Sequence, residues 1–316
     1  MRHTLAALGL ALAALSAHAA GPQLKGQAPG WYRMALGGFE VTALSDGTLD
    51  LNPEQLLQGA QPGQVARALQ HRYLGVPLET SVNGYLVNTG SKLVLIDTGA
   101  ASLFGPTLGR LLANLKASGY SPEQVDEIYI THLHGDHIGG ATAEGKTVFP
   151  NAVLRVDQRD ADFWLSEAEM AKAPDSAKGF FQGAMVSVKP YKDAGRFKPF
   201  AGSKDGVELV PGVKAFPTYG HTPGHSVYVA QSGAQKMVFW GDLMHVAAVQ
   251  FPDPSITIAF DSDPKSAAPQ RQAAYAAAAA EGHYAAATHL AFPGIGKLRA
   301  DGKGYEWIPV NYSANR

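Results

Sequence analysis

Apolar positions recur in short alternating runs along most of the chain. From about Trp31 the pattern reads as strand and turn. Phe39-Glu40-Val41-Thr42-Ala43-Leu44 predicts a strand, and Ser45-Asp46-Gly47-Thr48 follows as a turn signature. Over residues 53–70 the period becomes helical, with Leu56, Leu57, Val65 and Leu69 on one face. The β runs Ser81–Val87 and Lys92–Asp97 flank Asn88-Thr89-Gly90-Ser91 and predict a hairpin. Leu108–Lys116 reads as an amphipathic helix ending near Gly119, and Val125–Thr131 as a buried strand.

The second half repeats the theme. Ala152–Val156 predicts a strand, residues 157–182 are helical and aromatic, and the Pro/Gly/Lys-rich stretch 189–205 predicts a loop. Val207–Tyr219, Ser226–Ala230 and Lys236–Trp240 read as strands, and Ala267–Ala280 as a helix of the best helix former. Ala285–Thr288 then leads into His289. Strands outnumber helices, both halves contain each, and no segment reads as a linker. The simplest layout is one α+β domain over residues 20–316, its two β-rich halves face to face and helices on the outer faces.

Composition narrows the chemistry. With 46% hydrophobic residues the 316-residue chain buries a sizeable core. Lys+Arg of 26 against Asp+Glu of 27 leaves no electrostatic footprint for nucleic acid or an anionic membrane. Cysteine is absent, so no disulfide, thiolate nucleophile or iron–sulfur cluster can form, and a metal site must use His, Asp or Glu. Residues 1–19 read as a signal peptide: Arg2 and His3 precede the apolar run Leu5–Leu15, and Ala17-His18-Ala19 has the small-x-small pattern of a cleavage site. Export to the periplasm or the medium is therefore expected. The run is too short for a permanent membrane anchor.

The densest chemistry lies in Thr131-His132-Leu133-His134-Gly135-Asp136-His137, which holds three of the chain's 11 histidines. Neutral imidazole and carboxylate are the divalent-metal ligands left when thiols are missing. His132 and His134, two apart at a strand end, project to the same side. Asp136 and His137 follow Gly135, where the chain can turn toward a second point. One loop could thus serve two metals. His221, Asp242 and His289 each follow an apolar strand. Singly, each reads equally well as a turn or core residue; together they complete two metal shells.

On these residues the chain resembles the metallo-β-lactamase superfamily. The resemblance implies an αββα sandwich, two mixed sheets face to face, with a dinuclear site at one sheet edge. It implies that His132, His134 and His221 bind one metal, that Asp136, His137 and His289 bind the other, and that Asp242 bridges them. Asp97 matches the aspartate that orients the histidine loop. Zn²⁺ is the expected ion, and the ligand set also suits Mn²⁺, Co²⁺ or Fe²⁺. Ser81-Val82-Asn83, Phe104-Gly105-Pro106-Thr107, Ala247-Ala248-Val249-Gln250-Phe251 and Phe292-Pro293-Gly294-Ile295-Gly296 look like the methyl parathion hydrolase and dihydrocoumarin hydrolase group. That group's members are exported, dimeric dizinc enzymes, which implies a homodimer here. Gly135 departs from the Pro of the parathion hydrolases, and the loop near residues 174–178 is one residue shorter.

A metal pair sharing an oxygen lowers the pKa of bound water and makes hydroxide available at neutral pH. The catalytic candidates are Asp242, through the bridge, and Asp136, which could also pass a proton to the leaving group. His225 is read as structural or orienting, because family members place no ligand there. By resemblance Phe104, Trp164, Phe180, Phe181, His245 and Phe260 wall the pocket, with Ile258 on a facing segment and Leu57 counted beside them. Such walls favour flat, apolar substrates with a good leaving group. The reading is a lactonase opening aryl lactones such as dihydrocoumarin, with weak organophosphate hydrolysis. The bulk of His245 and Phe260, where parathion hydrolases carry smaller or more flexible side chains such as Leu, crowds an alkoxy arm. The alternative is a methyl parathion-type phosphotriesterase, and the reading from another class is a non-catalytic metal-binding protein.

Overall fold

The computed structural model describes residue 21 and residues 23–313, so the leader expected over residues 1–19 lies outside the described residues. The first sheet runs in chain order through β1 (Trp31–Leu36), β2 (Phe39–Leu51), β3 (Leu78–Asn88), β4 (Leu93–Ile96), β5 (Glu127–Tyr129) and β6 (Val153–Arg155). Its last three strands are parallel and the others antiparallel. The second sheet comprises β7 (Val207–Val210), β8 (Val213–Pro217), β9 (Ser226–Ser232), β10 (Gln235–Phe239), β11 (Tyr284–Ala286), β12 (Ile295–Asp301) and β13 (Gly304–Pro309). Here β10 and β11 are the parallel pair.

Strand alternation sorts the side chains into layers. Val41, Ala43, Tyr85, Val87, Val94, Ile96 and Tyr129 of the first sheet meet Tyr228, Ala230, Met237 and Phe239 of the second. Their sequence neighbours Leu44, Leu86, Leu93, Leu95, Ile128 and Ile130 face the other way. Over that outer face lie several of the helices longer than one turn, which in chain order are α1 (Gln64–His71), α2 (Leu111–Ala117), α3 (Gln158–Trp164), α4 (Glu167–Lys172), α5 (Asp175–Asp193) and α6 (Pro264–Glu281). Leu111 and Leu115 of α2, Ala161 and Trp164 of α3 and Phe181 and Val188 of α5 share the outer core with the first sheet. Across the molecule, Val227, Val238 and Trp240 pack under α6 through Tyr275 and Ala278. The result is the α+β, αββα sandwich. No described helix is long and apolar enough to cross a membrane.

Four local expectations are corrected. The helix over residues 53–70 is broken into a single turn at Pro53–Leu56, a short strand at Leu57–Gln58 and α1, because Gly59 and Gly63 take positive φ and Pro62 lies between them. The turn signature Ser45–Thr48 is a bulge within a continuous β2, where the register against β3 shifts between Ser45 and Gly47. The strand 207–219 folds back at Pro211-Gly212 into β7 and β8. The loop 189–205 begins later than expected, since α5 runs on to Asp193.

The bulge has a purpose: it turns Asp46 inward. One carboxylate oxygen accepts from the Ala100 and Gly109 N–H groups at 2.9 and 3.1 Å, and the other from Leu111 N–H at 3.0 Å. Asp46→Ala would strand three donors, two of them buried, at about 1–3 kcal/mol each before relaxation. We expect a loss of at least ~2 kcal/mol in urea unfolding, with Asp46→Asn losing less; a wild-type midpoint in the alanine variant would contradict this role.

Candidate metal centre

Strand β4 ends at Ile96, and Asp97 turns there with φ +57°. That conformation costs a non-glycine residue about 1–2 kcal/mol, offset by what the carboxylate then reaches. It accepts from Thr131 N–H at 2.8 Å, the Thr131 hydroxyl at 2.9 Å and His137 Nδ1 at 2.8 Å. One buried carboxylate thereby ties down both ends of the histidine loop, and it directs His137 Nε2 inward. The loop's middle is held by Asp160 on α3, which accepts from Leu133 N–H at 2.7 Å and Gly224 N–H at 2.8 Å. Burial pushes the Asp160 carboxyl up to about 6.

The remaining imidazoles are anchored in the same way. His221 Nδ1 lies 2.8 Å from Asp261 Oδ1, and His289 Nδ1 lies 3.0 Å from the Ser81 carbonyl. Asp242 depends on Gly241, whose φ is +52° and whose added Cβ would lie 2.8 Å from Thr131 Oγ1 and 2.9 Å from His225 Nε2. The Asp242 N–H donates to His225 Nε2 at 3.1 Å, and the Thr218 hydroxyl holds His225 Nδ1 at 2.8 Å. Burial pulls the His225 pKa down to about 3, so this ring is neutral. It grips the backbone of Asp242.

Three groups of ligand atoms result, each within 4.8 Å: His132, His134, His221 and Asp242; Asp136, His137 and His289; and Asp242, His245 and His289, which overlaps the first two. Asp242 divides its oxygens between the first two. Oδ2 lies 3.3 Å from His221 Nε2 and 3.6 Å from His132 Nε2, whereas Oδ1 lies 3.1 Å from His137 Nε2 and 3.2 Å from His289 Nε2. Asp136 Oδ2 stands 3.6 and 3.5 Å from the same two nitrogens. His132 Nε2, His137 Nε2 and Asp242 Oδ1 are buried with no hydrogen-bond partner. Converging, unpartnered lone pairs are costly unless a cation takes them. The residues fit two divalent ions.

The pocket residues divide into three sets. Phe104, Phe180, His245 and Phe260 line a cavity of about 460 Å³ over Asp136, Asp242 and His289. Trp164 and Phe181 instead line a neighbouring cavity that shares His134, Phe180 and Phe260 with the first. Leu57 and Ile258 do not line the cavity: they pair in a two-stranded ladder and are buried in an apolar cluster against which Phe260 packs. His245 is more than a wall, because its Nε2 lies 3.0 Å from Asp242 Oδ2. Sequence reasoning missed Asp160, Asp261 and the β2 residues Leu49, Asp50 and Leu51, which also line the cavity. The acidic string Asp261-Ser262-Asp263 was the available signal for Asp261.

Residues 78–289 match the metallo-beta-lactamase superfamily, and the chain belongs to it. It brings together grouped His and Asp side chains that support a dinuclear divalent metal site. It is similar to the hydrolase AbOPH at 41% identity and TM-score 0.86, covering 92% of this chain and 100% of that one. It is also similar to AidC, a dizinc quorum-quenching lactonase in complex with a homoserine product, at 26% identity and TM-score 0.83, covering 90% and 99%. An N-acyl homoserine lactonase of Bacillus thuringiensis is 28% identical over 172 residues, which is 48% of this chain and 59% of that protein. The chain spans little more than half the length of the curated relatives it matches.

The metal-free site carries a pH signature. Burial pulls the His221 pKa down, but the Asp242 and Asp261 carboxylates outweigh it and hold the ring at about 9, above the ordinary 6.5. A raised folded-state pKa contributes stability that is fully present below 6.5 and lost as pH rises through 9. The Tm of EDTA-stripped protein should therefore fall across that window, and Zn²⁺ should reverse the slope because ligation needs the neutral ring. A flat profile for the stripped protein would count against this account.

Proposed function

We propose that the chain is a lactonase that opens aryl lactones such as dihydrocoumarin, with weak organophosphate hydrolysis. The observation that carries this reading is the cavity of about 460 Å³, walled by Phe104, Phe180, Phe260, Leu49 and Leu51, with Asp136, Asp242 and His289 on its floor. Flat aromatic walls favour a planar, apolar substrate. The lactonase activity named for AidC and for the Bacillus thuringiensis relative supports the same bond class. The strings Ser81-Val82-Asn83 and Phe104-Gly105-Pro106-Thr107 support membership of the methyl parathion and dihydrocoumarin hydrolase group. Export after cleavage near Ala19 and a homodimer are part of the same proposal, resting on the apolar leader and on that resemblance.

When bound, the metal pair supplies a water of lowered pKa and a Lewis acid for the scissile carbonyl. The chain's own residues do the rest. The aromatic walls stack on the fused ring and exclude water from its faces. Asp136, the more exposed of the two metal-facing carboxylates, borders the cavity and can carry a proton to the departing phenolate oxygen. Ring opening leaves that oxygen tethered to the new carboxylate, so no second fragment needs an exit. A phosphotriester demands more room, since its tetrahedral centre carries two alkoxy arms besides the aryl group. His245 and Phe260, ring centroids 6.0 Å apart, crowd the side where such an arm would lie.

The test is kcat/KM of the zinc-loaded protein for dihydrocoumarin and for methyl paraoxon, with an EDTA-stripped control. We expect a lactone preference of several orders, abolished by EDTA. A phosphotriester preference would overturn the substrate assignment, and silence on both, with metal bound, would favour the non-catalytic reading. Separately, His245→Leu with Phe260→Leu should move the lactone-to-phosphotriester ratio at least about tenfold toward the phosphotriester. An unchanged ratio would sink the steric argument.

A further inference from the structure

A buried cation lies behind the metal centre. Arg271 belongs to the α6 stripe of Ala267, Tyr275 and Ala278, and it is 1% exposed. A guanidinium so deep costs several kcal/mol unless its donors are met. Its Nε donates to the Leu243 carbonyl, and its Nη1 to the carbonyls of Pro254 at 3.1 Å and Ile256 at 2.7 Å. Its Nη2 stands 3.8 Å from Asp261 Oδ2. Leu243 directly follows Asp242, and Asp261 is the carboxylate that holds His221. Gln250 reinforces the same segment, donating to the Ile256 carbonyl at 3.0 Å and accepting from the His245 and Val246 N–H groups at 2.8 and 3.0 Å.

Core stabilisation alone accounts poorly for this residue. An apolar side chain of similar volume would fill the α6 stripe at lower cost in desolvation. Its hydrogen-bond acceptors and its ion-pair partner lie instead on Leu243, next to the metal-facing Asp242, and on the 254–261 segment that ends at Asp261, the carboxylate orienting His221. The fork geometry of arginine suits this, because one planar group can reach several acceptors that a lysine ammonium cannot span.

We propose that Arg271 is a positioning residue for the metal group of His132, His134, His221 and Asp242. It acts along two routes. Through Asp261 it keeps an anion aimed at His221 Nδ1, so that Nε2 points to the metal position. Through the Leu243 carbonyl it fixes the turn that presents Asp242. The inference rests on the dinuclear centre and not on which ester is cleaved.

The test uses Arg271→Lys, Asp261→Asn and the double variant, all read by metal binding. Chelator competition should show the metal equivalent at His132, His134 and His221 weakened about 10–100-fold in each single variant, with the other equivalent, which shares only Asp242, weakened less. The visible absorption of the Co²⁺-substituted protein should change with it. The double variant should lose clearly less than the sum of the two singles, because the two changes share the route through Asp261. A merely stabilising arginine gives a different pattern: a lower Tm for stripped protein, two equivalents bound at wild-type affinity, and an unchanged Co²⁺ spectrum. That result would overturn the proposal. Should Arg271→Lys fail to fold, the isosteric Asp261→Asn decides, since wild-type binding there would break the proposed route. None of these readouts depends on a lactone, so failure of the substrate assignment leaves them intact.

Discussion

Asp242 is a carboxylate taken almost wholly out of water and ringed by imidazoles. Nε2 atoms of His132, His137, His221, His245 and His289 all lie between 3.0 and 3.6 Å from its two oxygens. Burial alone would raise its pKa, but the surrounding rings outweigh that and hold it well below the carboxylate range. A charge this deep has to be matched by cations or by donors of fixed orientation. The rest of the centre can be read as the means of fixing them. Asp97, Asp261 and the Ser81 carbonyl are all acceptors, and each faces the Nδ1 of one ring. An acceptor on that side sets the tautomer with the Nε2 lone pair inward. His134 is the reversed case, with Nδ1 turned in to 3.2 Å from His221 Nε2.

The sandwich supplies this orientation through its parallel strands. Asp97 follows β4, Thr131 and His132 lie just beyond β5, Asp242 lies just beyond β10, and His289 lies just beyond β11. The pairs β4–β5 and β10–β11 run parallel, so neighbouring strands deliver their next residues to the same end of each sheet. Open sheets with parallel strands offer their carboxyl ends to ligands for this reason. Face-to-face packing through Tyr85, Tyr129, Tyr228 and Phe239 then brings the two sheet ends together. The dinuclear centre is a product of sheet alignment as much as of the histidine loop.

What could be read from the sequence was what is local. The spacing of His132, His134, Asp136 and His137 announces metal chemistry because four ligands share one turn of chain. The strands that precede His221, Asp242 and His289 could be found by their alternation. Punctuation was harder. Ser45-Asp46-Gly47 suits a bulge as well as a turn, since both draw on the same residues, and only the cross-strand partner decides. Leu56 and Leu57 fit a helical period, yet the Gly59–Gly63 segment breaks it. The orienting residues were the least visible. Asp160 and Asp261 act across 27 and 40 positions of sequence, and no periodicity links an aspartate to a loop it meets only after folding.

Floor and walls of the cavity are usually treated as separate, the floor setting the reaction and the walls setting the substrate. His245 belongs to both. Its ring lies 6.0 Å from that of Phe260 and is stacked on His289 at 5.0 Å, while its Nε2 meets Asp242 Oδ2. Phe104 is tied to the floor in a second way, because a Cβ added at Gly135 would come within 2.8 Å of its ring. The absence of that carbon lets the aromatic wall settle directly on the metal loop. A substitution that widens the pocket at either place therefore also changes a contact of Asp242 or of the loop that carries Asp136. In this fold, changing what the pocket admits without disturbing the metal centre calls for a wall that touches neither, and Leu49 and Leu51 enter the cavity from the end of β2, a different element from the metal loop.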